Sequence, residues 1–74
     1  MVLSNIKISR EEKNRMRLKL EEIVSMMKEM EKKIIVFNEN TETEEYRKFW
    51  QELLENNRST VRKVTNFMVR KCNR

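Results

Sequence analysis

Residues 16–37, MRLKLEEIVSMMKEMEKKIIVF, decide the fold of this chain. Their apolar side chains recur at alternating intervals of four and three residues, at Met16, Leu20, Ile23, Met27, Met30, Ile34 and Phe37. Such spacing over three heptads is typical of an α-helix that buries one stripe against another helix. Val24 and Met26 flank the stripe and make this apolar face broader than a simple coiled-coil seam.

A helix start signal lies just before this stripe. Ser9 and Glu12 have the spacing of a capping box, in which the serine side chain accepts a hydrogen bond from the backbone N–H three residues later. The first helix is therefore predicted at about residues 10–37. Residues 1–9 are predicted to be a flexible tail, which precedes a single helical domain over residues 10–74.

The next polar run, residues 38–43, predicts the connection between two helices. Thr41 and Glu44 form a second capping-box pattern, and acidic residues follow where they suit the positive end of a helix dipole. The connection is therefore predicted at residues 38–41 and the second helix at about residues 42–71.

The second helix carries its own apolar stripe, interrupted by polar residues 56–60. The apolar positions are Tyr46, Phe49, Trp50, Leu53, Leu54, Val61, Val64, Phe67, Met68 and Cys72. They keep one helical phase on both sides of the polar segment, which favours one long helix. The alternative is a break near residues 56–60 that produces a three-helix bundle, with Asn57 or Ser59 as a new cap.

These elements predict an all-α fold, an antiparallel helical hairpin of two long helices. With the turn centred on residue 40, the numbers of facing residues should sum to about 80. Asn57 then lies opposite Ile23, which is a discordant pair. It is therefore interpreted as a residue that caps a third helix or faces water, the alternative being a buried asparagine that fixes register.

The composition limits how stable such a chain is by itself. It has 74 residues, one cysteine, no histidine, no glycine and no proline. A core of this size supplies roughly 3–5 kcal/mol unless a disulfide, a metal or association adds to it. Neither an intrachain disulfide nor a cysteine–histidine zinc site is available to this sequence. Association with a copy of itself or with another protein is the remaining source of stability.

Several apolar residues cannot all be covered by one opposing helix. The predicted partner interface consists of Met26, Met27, Met30, Phe49, Trp50, Leu54 and Phe67. Large exposed apolar patches usually mark interaction surfaces. Methionine packs adaptably at such surfaces, and tryptophan is a common strong anchor there. The expected partner is therefore another protein or a second copy, although simple core packing of the same residues is the alternative interpretation.

Charge is strongly segregated along the chain. Residues 1–20 carry six basic and two acidic side chains, residues 21–57 five basic and ten acidic, and residues 58–74 six basic and none acidic. A hairpin brings both basic blocks to its open end, where a patch is predicted at Arg10, Lys13, Arg17, Arg62, Lys63, Arg70 and Lys71. Such a patch can bind phosphates, which makes a small nucleic-acid-binding protein the alternative function. It can equally bind an acidic protein or an anionic membrane surface. A solvated basic end is the simpler interpretation.

The sequence offers little to catalysis. It has no histidine and no glycine-rich phosphate loop, and the basic neighbours of Cys72 come without a partner base. We therefore expect a non-enzymatic protein–protein interaction module, a structural or adaptor subunit without a cofactor. The sequence shows no signal-peptide pattern and no apolar run long enough for a membrane span. An intracellular, reducing compartment, the cytoplasm or nucleus, is expected.

Overall fold

The computed structural model describes residues 8–72 and shows an antiparallel hairpin of two long helices. Residues 1–7 of the predicted N-terminal tail lie outside the described residues. Helix α1 spans Arg10–Glu39 and helix α2 spans Glu44–Lys71. Residues 40–43 connect them. The hairpin is a rod with dimensions of 55 × 23 × 16 Å. The turn closes one end, and the opposite, open end holds the start of α1 and the end of α2.

The first helix begins where the sequence predicts. Ser9 has an extended backbone, and its hydroxyl oxygen accepts a hydrogen bond from the N–H of Glu12 at 3.1 Å. This bond satisfies one of the backbone donors that a helix start leaves without a partner. At the other end, α1 continues to Glu39, two residues beyond the predicted limit.

The turn uses Thr41 differently from the prediction. Thr43, and not Thr41, is the N-cap residue of α2. The Thr41 hydroxyl instead donates to the carbonyl oxygen of Phe37 at 2.6 Å and accepts from the indole N–H of Trp50 at 3.0 Å. One side chain thus links the last turn of α1 to the second turn of α2. Within residues 8–72 no residue has a positive φ, so this turn does not need glycine.

Helix α2 is continuous through residues 56–60, which excludes the three-helix alternative. Thr60 is accommodated because its hydroxyl donates to the carbonyl oxygen of Asn56, one turn earlier, at 3.0 Å. The ends of α2 also match its dipole, with Glu44 and Glu45 in the first turn and Arg70 and Lys71 in the last.

Asn57 is buried in the interface between the helices, so its interpretation as a cap or a water-facing residue is wrong. Its side chain is 6% exposed and its Nδ2 donates to the carbonyl oxygen of Met27 at 2.9 Å. In the same region the Arg58 guanidinium pairs with the Glu31 carboxylate at 2.7 Å. Polar contacts therefore join the middle of the two helices.

The register differs from the predicted one by about one helical turn. Met27 lies opposite Asn57 and Phe37 opposite Trp50, so facing numbers sum to 84 or 87 instead of about 80. The cause is the position of the turn, which lies at residues 40–43 rather than 38–41. Moving a turn by two residues changes the sum by about four.

Little of this hairpin is fully buried. Among residues 8–72 the buried side chains are Ile34, Asn57 and Cys72. The rest of the contact consists of half-buried residues, among them Leu20, Val24, Met27, Leu53, Leu54, Val61 and Val64. A chain of this size needs most of its apolar surface removed from water to be stable. The isolated hairpin leaves much of that surface exposed.

Candidate interaction surfaces

Helix α1 carries an apolar ridge that does not face α2. It consists of Met16, Ile23, Met30 and Phe37, which are 41%, 41%, 43% and 48% exposed. Seven residues make nearly two turns, so residues at this spacing lie on one line along a helix. The line on the neighbouring side of the stripe, which includes Val24 and Glu31, is half-buried instead.

The prediction that all seven stripe residues form the helix–helix seam is therefore wrong for the apolar ridge. Leu20, Met27 and Ile34 are half-buried or buried, as predicted. The helix is rotated so that Glu31 enters the interface, where it pairs with Arg58. This rotation leaves the ridge at the edge of the contact.

An aromatic cluster lies near the turn, with Phe37 from α1 and the other rings from α2. The rings of Phe37 and Trp50 have centroids 5.6 Å apart, and those of Phe49 and Trp50 are 6.0 Å apart in an edge-to-face arrangement. Phe49 is 58% exposed. Together with Thr41, Glu45 and Tyr46, Phe49 and Trp50 line a shallow cleft. The aromatic cluster, defined as Phe37, Tyr46, Phe49 and Trp50, therefore presents exposed rings beside the acidic side chain of Glu45.

The apolar ridge and the exposed aromatic residues of α2 lie on one side of the hairpin. Near the turn, Phe37 contacts Trp50, which contacts Phe49. At the open end, Met16 and Phe67 line the same cleft. Phe49 and Phe67 are separated by 18 residues, five full turns, so they share one line on α2. We call this surface the open face: Met16, Ile23, Met30, Phe37, Phe49 and Phe67.

The predicted interface residues divide between this face and the hairpin seam. Met30, Phe49 and Phe67 belong to the open face, and Met26 is exposed close to it. Met27, Trp50 and Leu54 are half-buried between the helices, with the Trp50 ring reaching into the aromatic cluster. Met16, Ile23 and Phe37 were assigned to the seam, although their heptad spacing already indicated a common line.

The open end contains a cleft with an apolar floor and a basic rim, which we call the open-end cleft. Its volume is about 320 Å³. The residues that line it come from both helices and the segment before α1: Ile8, Glu12, Lys13, Arg15, Met16, Lys19, Phe67, Lys71 and Cys72. Four of these are cationic, so the cleft favours a partner that is both apolar and acidic.

The predicted basic patch is only partly gathered by the fold. Lys13 and Lys71 line the open-end cleft together. Arg17 pairs with Glu21 at 3.4 Å on its own helix. Arg10, Arg62, Lys63 and Arg70 are exposed. Arg15 and Lys19 were missing from the predicted patch, but they line the cleft, and their four-residue spacing could have shown that they share a helix face.

No family model, curated protein or solved structure matches this chain. Over residues 8–72, neither helix has a stretch that is long and apolar enough to cross a membrane.

Proposed function

We propose that this chain is a non-enzymatic protein–protein interaction module, a structural or adaptor subunit that binds a protein through the open face. The observation that carries the proposal is the apolar ridge, whose four side chains remain 41–48% exposed along one side of α1. Phe49 and Phe67 extend this surface across α2. Soluble proteins rarely leave so long an apolar surface open unless another molecule covers it.

The energetics of the hairpin support the same proposal. Each large apolar side chain that passes from exposed to buried contributes about 1.5–3 kcal/mol. Burying the six half-exposed residues of the open face would therefore supply a large part of the stabilisation that the small interior lacks. A partner that covers this face both binds the chain and stabilises its fold.

A lysine on the apolar ridge tests the proposal. Met30→Lys places an ammonium group in the middle of the open face and is expected to weaken partner binding at least about tenfold, since 1.4 kcal/mol suffices for that change. The tagged chain and its variant are expressed in their native cells, and proteins that co-purify are quantified by mass spectrometry. Copies of the chain itself count as a partner.

Val36→Lys is the matched control. Val36 has an exposure similar to that of Met30, at 48%, and lies nine residues from Met27, which is two and a half turns. It therefore lies on the side of α1 away from α2, outside the open face. Partners that are lost with Met30→Lys and kept with Val36→Lys support the proposal. Equal recovery with both variants contradicts it.

The basic open end supports a second candidate function, binding to nucleic acid. The specific observation is that Lys13, Arg15, Lys19 and Lys71 converge on one cleft from both helices. Cations so arranged neutralise phosphates and release counterions, which gives a steep dependence of affinity on salt.

We expect that, if this second function exists, labelled duplex DNA or RNA binds with micromolar or better affinity at low salt. Replacing Lys13 and Lys71 together by alanine should then reduce the slope of log affinity against log salt by about 1–2. Lys33 and Lys48, both exposed and both nearer the turn, supply the matched double-alanine control. Fluorescence anisotropy measures the binding. The absence of binding at low ionic strength contradicts this function.

A further inference from the structure

The two ends of the hairpin carry opposite charge. At the open end, residues 10–20 and 58–72 together hold ten basic and two acidic side chains. At the turn, residues 34–46 hold Glu39, Glu42, Glu44 and Glu45 and no basic residue. Over a length comparable to that of the open end, residues 29–57 hold eight acidic and four basic side chains, so this half of the hairpin is acidic. The open face runs between these ends, so a partner that covers all of it meets both charges. A second copy of this chain, turned end for end, has the complementary distribution.

Two copies can stack their open faces about a two-fold axis in two ways. An axis parallel to the helices places open end on open end and turn on turn, which brings like charges together. An axis perpendicular to the helices places each open end on the turn of the other copy. Like charges opposed across an interface disfavour the first arrangement, and opposite charges favour the second.

The positions of the apolar residues fit the second arrangement. On α1 the midpoint of Met16 and Phe37, and also of Ile23 and Met30, falls between residues 26 and 27. On α2 the midpoint of Phe49 and Phe67 is residue 58. These midpoints lie at the same height along the hairpin, because the Asn57 side chain bonds to the carbonyl oxygen of Met27 at 2.9 Å.

A two-fold axis at this height therefore matches the open face with itself. Met16 lies opposite Phe37 of the second copy, Ile23 opposite Met30, and Phe49 opposite Phe67. Between the two phenylalanines, the same line of α2 carries Asn56 and Thr60, which lie opposite one another, polar against polar. Stacking by the other axis would instead place Ile23 and Met30 over that polar stretch.

The ends match in chemistry as well. The open-end cleft has an apolar floor that includes Met16 and Phe67, with a rim of lysine and arginine. The aromatic cluster presents Phe49 and Tyr46, both more than half exposed, beside Glu45. In the perpendicular arrangement the aromatic cluster of each copy lies on the open-end cleft of the other. This contact therefore occurs twice in each dimer.

The size of the open face is sufficient for such a contact. From Met16 to Phe37 the ridge is about 32 Å long. With the 23 Å width of the hairpin this gives about 700 Å² on each copy, close to the roughly 800 Å² per partner of specific interfaces.

We propose that the occupant of the open face is a second copy of this chain in antiparallel orientation, so that two hairpins form a four-helix bundle with each basic open end on the acidic turn of the other. This inference rests on the proposed function, because it names the partner of the same face.

Spin-label distances measured between copies test the orientation. In a Cys72→Ala background, which leaves one thiol for labelling, Glu11→Cys and Ser25→Cys place labels on exposed positions of α1 two heptads apart. In the antiparallel dimer the two Glu11→Cys labels are offset by about 46 Å along the bundle and the two Ser25→Cys labels by about 5 Å. The Glu11→Cys distance should therefore exceed the Ser25→Cys distance by at least about 15 Å.

Sedimentation velocity of the unlabelled full chain, from micromolar to sub-millimolar concentration, establishes the oligomeric state. We expect a dimer that Met30→Lys dissociates at least about tenfold more readily and that Val36→Lys leaves intact. Circular dichroism of each variant verifies that it remains helical. A second ridge variant, Ile23→Lys, keeps the test valid if Met30→Lys fails to fold.

The outcomes separate this inference from the proposed function. A dimer with unequal label distances supports the inference. A dimer with equal distances overturns the orientation, and a dimer that ridge lysines do not affect overturns the use of the open face. A chain that stays monomeric overturns the inference outright. If that monomer still binds another protein in a Met30-dependent way, the proposed function stands, and if it does not, both fail.

Discussion

Asn57→Asp is expected to lower the free energy of unfolding by about 3 kcal/mol, because it leaves a buried charge without a partner. Asn57 is 6% exposed and donates from Nδ2 to the carbonyl oxygen of Met27 at 2.9 Å. The aspartate has nearly the same shape, but it replaces the donor with a second acceptor facing that carbonyl oxygen. The attraction between the helices at this point becomes a repulsion.

Urea unfolding followed by far-ultraviolet circular dichroism measures the change. Asn66→Asp is the matched control, because Asn66 is exposed and lies nine residues, two and a half turns, beyond Asn57, on the side of α2 away from α1 and outside the open face. The same substitution there should change stability by no more than about 0.5 kcal/mol. Both variants are compared at one protein concentration, since association raises apparent stability. Similar losses from both substitutions would show that Asn57 has no special part in the interface.

Asn57→Leu separates the cost of the charge from the role of the amide. Leucine keeps the volume and removes the polar group, and such replacements of buried polar residues are often neutral or stabilising. The expected result is a helical chain at least as stable as the original. A buried asparagine can also fix register, so the leucine variant is expected to populate more than one oligomeric state in sedimentation experiments.

The sequence was sufficient to predict two helices in a hairpin, because those signals are local. Ser9 and Glu12 mark the first helix start, and the heptad spacing from Met16 to Phe37 marks its apolar side. The continuity of α2 was also predictable from the constant phase of its apolar positions. The register was not, since it depends on the turn. Thr41 satisfied a capping pattern but served in a different hydrogen-bond arrangement.

The candidate site was predicted less well, for a physical reason. The apolar stripe of α1 contains two adjacent lines, and periodicity alone does not say which line faces α2. The choice depends on contacts made across the interface, such as Asn57 with Met27 and Arg58 with Glu31. Glu31 looks like a solvent-facing residue in the sequence. In the structure α1 is oriented so that Glu31 pairs with Arg58, and Met30 and its heptad relatives remain exposed.

Ile34→Ala is expected to unfold a large fraction of the chain at room temperature. Ile34 is 3% exposed and is one of the few buried apolar side chains within residues 8–72. Truncating a buried isoleucine to alanine costs about 2–5 kcal/mol, through lost burial and the cavity that remains. A core of this size supplies roughly 3–5 kcal/mol in total, so the loss is comparable to the whole stability of an isolated hairpin.

Val36→Ala is the control for this substitution, because Val36 lies two residues further along the same helix and is 48% exposed. Its effect should stay near 0.5 kcal/mol.

Far-ultraviolet circular dichroism measured over a range of protein concentrations distinguishes stability lost from the interior of one hairpin from stability supplied by dimerisation. If dimerisation adds to stability, the helical content of Ile34→Ala should recover as concentration rises, since mass action favours the folded dimer. Recovery with concentration in Ile34→Ala, but not in a double variant that also carries Met30→Lys, would attribute that stabilisation to the open face. An Ile34→Ala chain as stable as Val36→Ala at every concentration would show that the interior contributes little and that the fold depends on other contacts.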